Sequence, residues 1–322
     1  MKKKTTLFIT LLVSCMLLTG CTSYVKNENK EIVKNEATGQ NLVENILCKP
    51  ESKEILKSYK ENDIDISKLP KCSKFKVTSG GYEGVWTSLF VKPLAWFILL
   101  VSKILKNSGL AIISTTLIIR LIMMPFTKKA AMQSENLQKV KPELDKLEKK
   151  YANKNDQESL MMKSQEMMLL YKKYDINPLS GCLFSFIQLP LFMAFYESLY
   201  RLPAIFEGNL GPFDLGVSPI VALGNGSYQY LILVVLVFFV TYYSFKLNTG
   251  ASMSPEQASQ MKMMRNMSLV MIGTASFTVS SAISFYWITN SSFTIIQNLY
   301  VKKVAKKWLL LKRLKEKIKI IY

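Results

Sequence analysis

Asn266 to Val301 is a run of 36 residues without one charged side chain. A bilayer's hydrocarbon is about 30 Å thick and takes about 20 helical residues per crossing, so the run is too long for one span. It suffices for two short ones, with a turn at the polar Thr278-Val279-Ser280-Ser281. Inside lipid each backbone N–H and C=O must be satisfied within its own segment, which leaves helices as the economical solution. Three further apolar runs complete the pattern, and the chain is predicted to be an all-α integral membrane protein. Its five transmembrane helices are expected at 107–127, 178–200, 228–247, 265–279 and 282–301. Hydrophobic residues make up 49% of the 322, separated by lysine-rich segments that a soluble fold of this length does not need.

Charge sets the orientation. The chain holds 42 Lys and Arg against 23 acids, a formal +19, and the surplus lies beside the spans, where positive charge marks cytoplasmic loops and attracts anionic lipid. Residues 128–176 hold 11 Lys or Arg, the loop at 248–264 is flanked or occupied by Lys246, Lys262 and Arg265, and the tail at 302–322 holds nine against one acid. The loop at 201–227 holds only Arg201 and is expected outside. An external start and five crossings leave the C-terminus in the cytoplasm. Residues 85–106 are the rival for a sixth span. Their uninterrupted apolar part, Leu94 to Val101, is too short to cross, and with Trp96, Phe97 and flanking lysines it suits an amphipathic helix lying in the interface. A span there would invert the charge pattern.

The N-terminus has the composition of a targeting segment: Lys2-Lys3-Lys4, an apolar stretch from Leu7 to Leu18, then Leu18-Thr19-Gly20-Cys21. The last four residues resemble a bacterial lipobox. Residues 1–20 are expected to be a lipoprotein signal peptide, with Cys21 as the acylated N-terminus outside the cytoplasm. Residues 21–84 follow as an external polar segment. From Thr22 it mixes 11 lysines with 10 acids and reads as loosely ordered. Cys48 and Cys72 lie there in a disulfide-permissive compartment, but two cysteines without geometry leave pairing open.

Residues 128–177 are too polar for lipid and strongly periodic. Leu137, Val140, Leu144, Leu147 and Tyr151 repeat at heptad spacing, as do Leu160, Met167, Tyr171 and Tyr174, with Asn153-Lys154-Asn155-Asp156 between them. This predicts a cytoplasmic antiparallel helical hairpin, with a helix restarting at Pro142. It serves as a solvated structural element or as a docking arm.

Arg120 is the functional candidate, a lone cation inside the apolar stretch from Leu110 to Pro125. A cation at that depth costs about 2.5 to 3.5 kcal/mol on insertion scales, so water or a polar partner within the protein must compensate, unless the side chain snorkels to an interface. Histidine is absent, which excludes Ser-His and Cys-His catalysis and His-based metal sites. No Gly-rich phosphate loop is present either. The chain is therefore expected not to be an enzyme and to need no cofactor.

Several motifs together carry a family resemblance. Ile118-Ile119-Arg120-Leu121, Lys141-Pro142-Glu143-Leu144, Asn177-Pro178-Leu179-Ser180-Gly181-Cys182-Leu183, Ile187-Gln188-Leu189-Pro190-Leu191-Phe192, Tyr286-Trp287-Ile288-Thr289-Asn290 and Ile296-Gln297 follow in order. Over roughly residues 82 to 302 the chain resembles the YidC/Oxa/Alb membrane protein insertases, closest to the Gram-positive lipoprotein form. It departs where relatives often read Pro-Ala/Ser-Gly before the last span and this chain has Ser280-Ser281-Ala282.

The resemblance implies a hydrophilic intramembrane groove, open to the cytoplasm and to lipid, with Arg120 at its centre and Thr116 one turn above. Gln188, Tyr286, Trp287 and Gln297 would line it. The two glutamines serve equally well as interhelical hydrogen-bonders, and the two aromatics as interfacial anchors. The implied activity is helping nascent membrane proteins insert and fold, alone or with the Sec translocase. The implied partners are those clients, membrane lipids, and a ribosome at the basic tail, which membrane binding would explain as well. The alternative is a transporter or channel for a small anionic solute. No internal repeat or broken-helix pair favours it.

Overall fold

The computed structural model describes residues 22–321, apart from 37, 153, 155, 175, 177–179 and 249–254. The signal peptide, Cys21 and Asn177-Pro178-Leu179 lie outside the described residues, and the side chains of Leu137 and of the tail beyond 304 are likewise not described. The elements are α1 (Lys53–Glu61), α2 (Gly84–Leu105), α3 (Ser108–Tyr151), α4 (Gln157–Lys173), α5 (Ser180–Tyr200) and α6 (Pro203–Phe206). They continue with β1 (Asn209–Leu210), β2 (Phe213–Asp214), α7 (Pro219–Gly224), α8 (Leu231–Asn248), α9 (Pro255–Thr278) and α10 (Ser281–Ile321). The fold is mostly helical. The described departures from all-α are the two-residue antiparallel ribbon β1–β2 and isolated bridges in the N-terminal segment. Among the described residues, three helices are long and apolar enough to cross a membrane by length and composition: α2, the Ser108–Lys128 part of α3, and Tyr228–Leu247.

Two helices run further than the apolar pattern suggests. α3 continues for 44 residues, about 66 Å at 1.5 Å per residue, through both Pro125 and Pro142. No new helix starts at Pro142. α10 is 41 residues long and carries the basic tail as its continuation. Val279 and Ser280 separate α9 from α10, and the first amides of α10 are satisfied by a loop. Ser281 donates its N–H to the Val217 carbonyl and Ala282 its N–H to the Leu215 carbonyl, both at 2.9 Å. Between those carbonyls, Gly216 sits so close to the Phe206 carbonyl that a Cβ there would fall 2.4 Å from it. Only glycine permits that approach.

The chain divides into two compact units. The first comprises residues 1–118, 188–237 and 274–289. Its N-terminal segment is not loose. Val25, Leu42, Val43, Leu47, Ile55 and Tyr59 are buried, the Tyr59 hydroxyl donates to the Val43 carbonyl at 2.6 Å, and Cys48 is disulfide-bonded to Cys72 across 24 residues. Closing a loop of that size stabilises a fold by about 3 kcal/mol on the chain-entropy account.

A buried ionic network ties this segment to the helices. Arg201, 1% exposed and just past α5, donates to Glu197 at 3.0 Å, to Glu83 at 2.5 Å and to the Asn45 carbonyl at 2.6 Å. Lys92 on α2, fully buried, reaches Glu83 at 2.7 Å and the carbonyls of Ser79 and Gly81 at 2.8 and 2.7 Å. The Trp86 indole N–H donates to Glu197 at 2.8 Å. At the other end of α2, Ser102 and Ser108 share a hydroxyl contact at 3.3 Å, and Ser108 donates to the Ala204 carbonyl at 2.8 Å. Both ends of α2 are therefore held at residues 197–204. One face of α2 packs through Val91, Leu94, Ala95, Ile98 and Val101, and the opposite face exposes Val85, Leu89, Phe90, Trp96 and Ile104.

The second unit comprises residues 119–187, 238–273 and 290–322. Here the latter half of α3 packs against α4 through Val140, Leu144, Tyr171 and Ile176, with Met167 and Leu170 beside them. Lys150 pairs with Glu166 at 2.6 Å and Lys173 with Glu143 at 3.6 Å. The residue numbers in each pair have the same sum, the signature of antiparallel helices. Asp156 caps α4 by accepting the Ser159 N–H at 2.8 Å. Leu160, part of the expected heptad seam, is half exposed instead.

The ionic network predicts how the first unit responds to acid. Burial pushes the Glu83 carboxyl up, but the hydrogen bonds and charges of Lys92 and Arg201 outweigh it and hold it below its ordinary 4.5. A depressed carboxylate contributes stability that is present above its unfolded value and lost as pH falls through the folded one. Protease protection of residues 22–83 is expected to be flat from pH 7 to about 5 and to fall below about 4.5, and Glu83→Gln to flatten that dependence. Unchanged acid sensitivity in the glutamine variant would remove Glu83 as the cause.

Candidate functional site

Arg120 lies in the second unit, on the part of α3 that follows Leu117-Ile118-Ile119, and its side chain is 3% exposed. It does not snorkel. Its Nε–H donates to the side-chain oxygen of Asn290 on α10 at 2.5 Å. This contact runs through Nε to one amide oxygen.

Two turns further along both helices a second polar pair forms. The Gln297 amide donates to the Thr127 hydroxyl at 2.8 Å, and that hydroxyl also lies 3.1 Å from the carbonyl of Met123. Gln297 is 6% exposed and Thr127 4%. Beyond it the Lys128 ammonium stands 5.4 Å from the centre of the Tyr300 ring. Thr294, one turn past Asn290, is also buried and donates to the Asn290 carbonyl at 2.9 Å.

The residue numbers of both hydrogen-bonded pairs differ by 170, where the α3–α4 pairs had a constant sum. A constant difference means that α3 and α10 run parallel. The seven-residue step is the period at which helices packed side by side present the same face. Polar pairs at that spacing fix both register and direction, because a one-residue slip would bury four polar groups without their partners.

Of the residues expected to line a groove, Arg120 and Gln297 are thus brought onto one helix pair. Thr116 is buried one turn before Arg120, and its hydroxyl donates back to the carbonyl of Ile112 at 2.7 Å. Thr116, Gln188, Tyr286 and Trp287 fall in the first unit. There Tyr286 is fully buried and stacks on Phe195 at 4.4 Å, while Trp287 meets Phe192 edge-on at 5.1 Å. These two aromatics pack in a cluster with Phe192 and Phe195. Gln188 is partly exposed.

Asn290 and Thr127 are the site residues that sequence reasoning passed over. Asn290 stood inside the Tyr-Trp-Ile-Thr-Asn motif, and Thr127 lies seven residues from Arg120. The shared heptad offset between 120–127 and 290–297 was a usable signal. No group of three or more Cys, Asp or Glu side chains able to hold a metal occurs among the described residues.

A polytopic helical membrane protein with an arginine capped inside its apolar helices is the class that these features define. Comparison with known proteins specifies it. Residues 100–307 match the family model described as 60Kd inner membrane protein. The chain is 36% identical over 234 residues to the membrane protein insertase YidC of Oceanobacillus iheyensis, covering 70% of this chain and 87% of the relative. It is 34% identical over 218 residues to the membrane protein insertase MisCA of Bacillus subtilis, covering 67% and 79%. A crystal structure of an active YidC insertase aligns at a TM-score of 0.45 and 26% identity, over 76% of this chain and 52% of that one. The chain belongs to the 60Kd inner membrane protein family, the family of the YidC insertases.

The Thr127–Gln297 pair makes a measurable prediction. Thr127→Val and Gln297→Leu are each expected to lower thermal stability in detergent, and the double variant to lose less than the sum. The coupling should be about 0.6 kcal/mol, within the roughly 1.7 kcal/mol ceiling of interhelical pairs in membranes. Strict additivity would show that the pair does not hold the two helices together.

Proposed function

We propose that this protein is a membrane protein insertase that helps nascent membrane proteins enter and fold in the bilayer through a hydrophilic groove. The observation that carries this reading is Arg120, buried in an apolar helix and held by a neutral amide, in a chain whose relatives are insertases. Arg120 and Thr116 mark the centre of the groove, and Gln188, Tyr286, Trp287 and Gln297 line it.

The chemistry required is modest. A client's apolar helix already prefers lipid, but its polar flank must cross about 30 Å of hydrocarbon. A hydrated groove shortens that dry path, and the Arg120 cation attracts acidic residues in the flank while they cross. Nothing in this step breaks a covalent bond or consumes a nucleotide. The protein lowers a kinetic barrier and works alone or with the Sec translocase.

Five crossings are supported by two structural observations independent of the charge count. Parallel α3 and α10 cross in the same direction, which needs an odd number of crossings between them, and α5, α8 and α9 supply three. α2 has the length to span, about 33 Å, but both of its ends are held at residues 197–204, in the last turn of α5 and just beyond it. A spanning helix would have its ends on opposite faces. α2 therefore lies in the outer interface, with the stripe from Val85 to Ile104 against lipid. The α3–α4 hairpin and the basic end of α10 are cytoplasmic, where the tail meets anionic lipid or a ribosome. The N-terminal segment is external, anchored at an acylated Cys21 to a bacterial cell membrane.

Cysteines placed singly at Lys150 and Lys315 should be labelled from the cytoplasmic side, and one at Asn209 from outside. Labelling of Asn209 from the cytoplasm would sink the five-span arrangement.

Function is tested by insertion of clients into vesicles containing the purified protein, normalised to its abundance. Arg120→Lys should keep most activity, since an ammonium still attracts carboxylates. Arg120→Ala should insert clients with acidic flanks about tenfold more slowly, equivalent to roughly 1.4 kcal/mol of lost attraction. Full activity of the alanine variant on those clients would overturn the role of the groove charge.

A further inference from the structure

We propose that Lys71, Lys74 and Lys76, held on a disulfide-pinned turn beside α2, form a binding site for the phosphate headgroups of anionic phospholipids in the outer leaflet. The proposal rests on the reading that places residues 22–83 outside and α2 in the outer interface, and it names what the polar side of that interface binds.

Charge in the N-terminal segment is unevenly divided. Residues 22–65 hold nine acids and seven lysines, whereas residues 66–82 hold four lysines and no acid. Of those four, Lys68 lies in the field of Asp65. Lys71, Lys74 and Lys76 are all exposed, and none of them enters an ion pair among the described residues.

The backbone beneath them is fixed. Cys72 is bonded to Cys48, Phe75 is buried, and the Lys49 N–H donates to the Pro70 carbonyl at 2.9 Å. The Lys74 N–H returns to the Lys71 carbonyl at 2.9 Å, so these two lysines flank one tight turn, Cys72–Lys74. The Lys76 N–H donates to the Ser79 hydroxyl oxygen at 3.0 Å. Three ammonium groups kept on so short a stretch repel one another, and a loose chain would let them diverge. A fold that fixes them together gains when an anion sits among them.

The place of the turn identifies the anion. It packs against α2, and the Lys92 ammonium on α2 donates to the carbonyls of Ser79 and Gly81, which ties the chain after Lys76 to the same helix. Immediately beyond, Tyr82, Val85, Leu89 and Phe90 are exposed. Lysines beside an apolar stripe make a surface that seats acyl chains on one part and phosphates on the other, with each lysine near the headgroups adding its own attraction. A soluble anion has no use for the stripe.

The test reconstitutes the purified full-length protein in phosphatidylcholine vesicles with increasing phosphatidylglycerol. Lipids brominated in their acyl chains quench tryptophan on contact, and Trp287→Phe with Trp308→Phe leaves Trp86 and Trp96 of α2 as the reporters. With the native lysines, phosphatidylglycerol should be favoured over phosphatidylcholine at α2 about fivefold, a preference that salt screens. The triple variant Lys71→Gln, Lys74→Gln, Lys76→Gln should abolish the preference, and arginine at the same three positions should retain it. Lys53→Gln, Lys57→Gln, Lys60→Gln, which removes as much charge from α1 of the same segment, should leave it unchanged.

Equal quenching by both lipids with the native lysines, or an undiminished preference in the first triple variant, would overturn the proposal and leave α2 in the interface. An equal loss in the α1 variant would overturn it too, because overall charge would then suffice. If the first triple variant keeps its lipid preference but loses binding of soluble poly(glycerol phosphate), the turn serves a surface polymer and the lipid proposal fails. Absence of quenching by either lipid would instead take α2 off the membrane surface, and the proposal with it.

Discussion

Burying a cation among apolar helices is the constraint from which the rest of this structure follows. A charge taken out of water must be paired, hydrogen-bonded or reached by water, and the chain meets that demand twice with different chemistry. Around Arg201 and Lys92 it supplies two glutamates, three backbone carbonyls and an indole, bringing together residues as far apart as 45 and 201. Removing one member of such a buried network typically costs about 3 to 5 kcal/mol, because the partner charge is left stranded. The network therefore dictates where the N-terminal segment and α2 sit relative to the end of α5. Around Arg120 one partner is a neutral amide, the Asn290 side chain on α10.

The helical framework was legible because hydrocarbon imposes length and uninterrupted apolarity, both of which a sequence records directly. The 36-residue uncharged run gave two helices, and the observed interruption at Val279–Ser280 falls where hydroxyls and a β-branched residue cluster. Helix continuity was less legible. Pro142 looked like a boundary, but proline removes a single intrahelical hydrogen bond, and α3 bridges that gap where its flanks, Val140 and Leu144, are packed against α4. The N-terminal segment misled for a different reason. Its apolar residues come singly in a background of lysine and glutamate, so no window is hydrophobic, yet Val25, Leu42, Leu47 and Tyr59 converge once a disulfide and the Arg201 network close the chain around them.

Site residues divided along the same line. Arg120 announced itself because a charge in an apolar run is locally anomalous. Gln297 was found through a resemblance. Asn290 carries no local anomaly, since a Thr-Asn-Ser run is ordinary at a helix surface, and its role exists only through a partner 170 residues away. Arg201 looked like a solitary loop charge. The Glu197–Arg201 spacing of four residues at the end of an apolar helix was the available clue, and it points to a pair on one helix face. Long-range polar pairing is what a single sequence hides. Local composition is blind to it, and only the register of packed helices reveals it.

Register also orders the polar pairs that join α3 and α10. These helices are parallel, so the polar pairs between them stack at defined levels along their common direction. The Arg120 and Thr127 levels are seven residues apart, about 10 Å along the axis. That is a third of the hydrocarbon thickness, descending from the arginine toward the end where Lys128 and Tyr300 meet. In the insertase reading proposed above, a polar flank entering past Lys128 would meet an amide–hydroxyl pair first and the cation second. Shortening the dry path in two steps lowers the highest point of the barrier more than a single charge at the centre would, since each step exchanges hydrogen bonds before the next stretch of hydrocarbon is crossed.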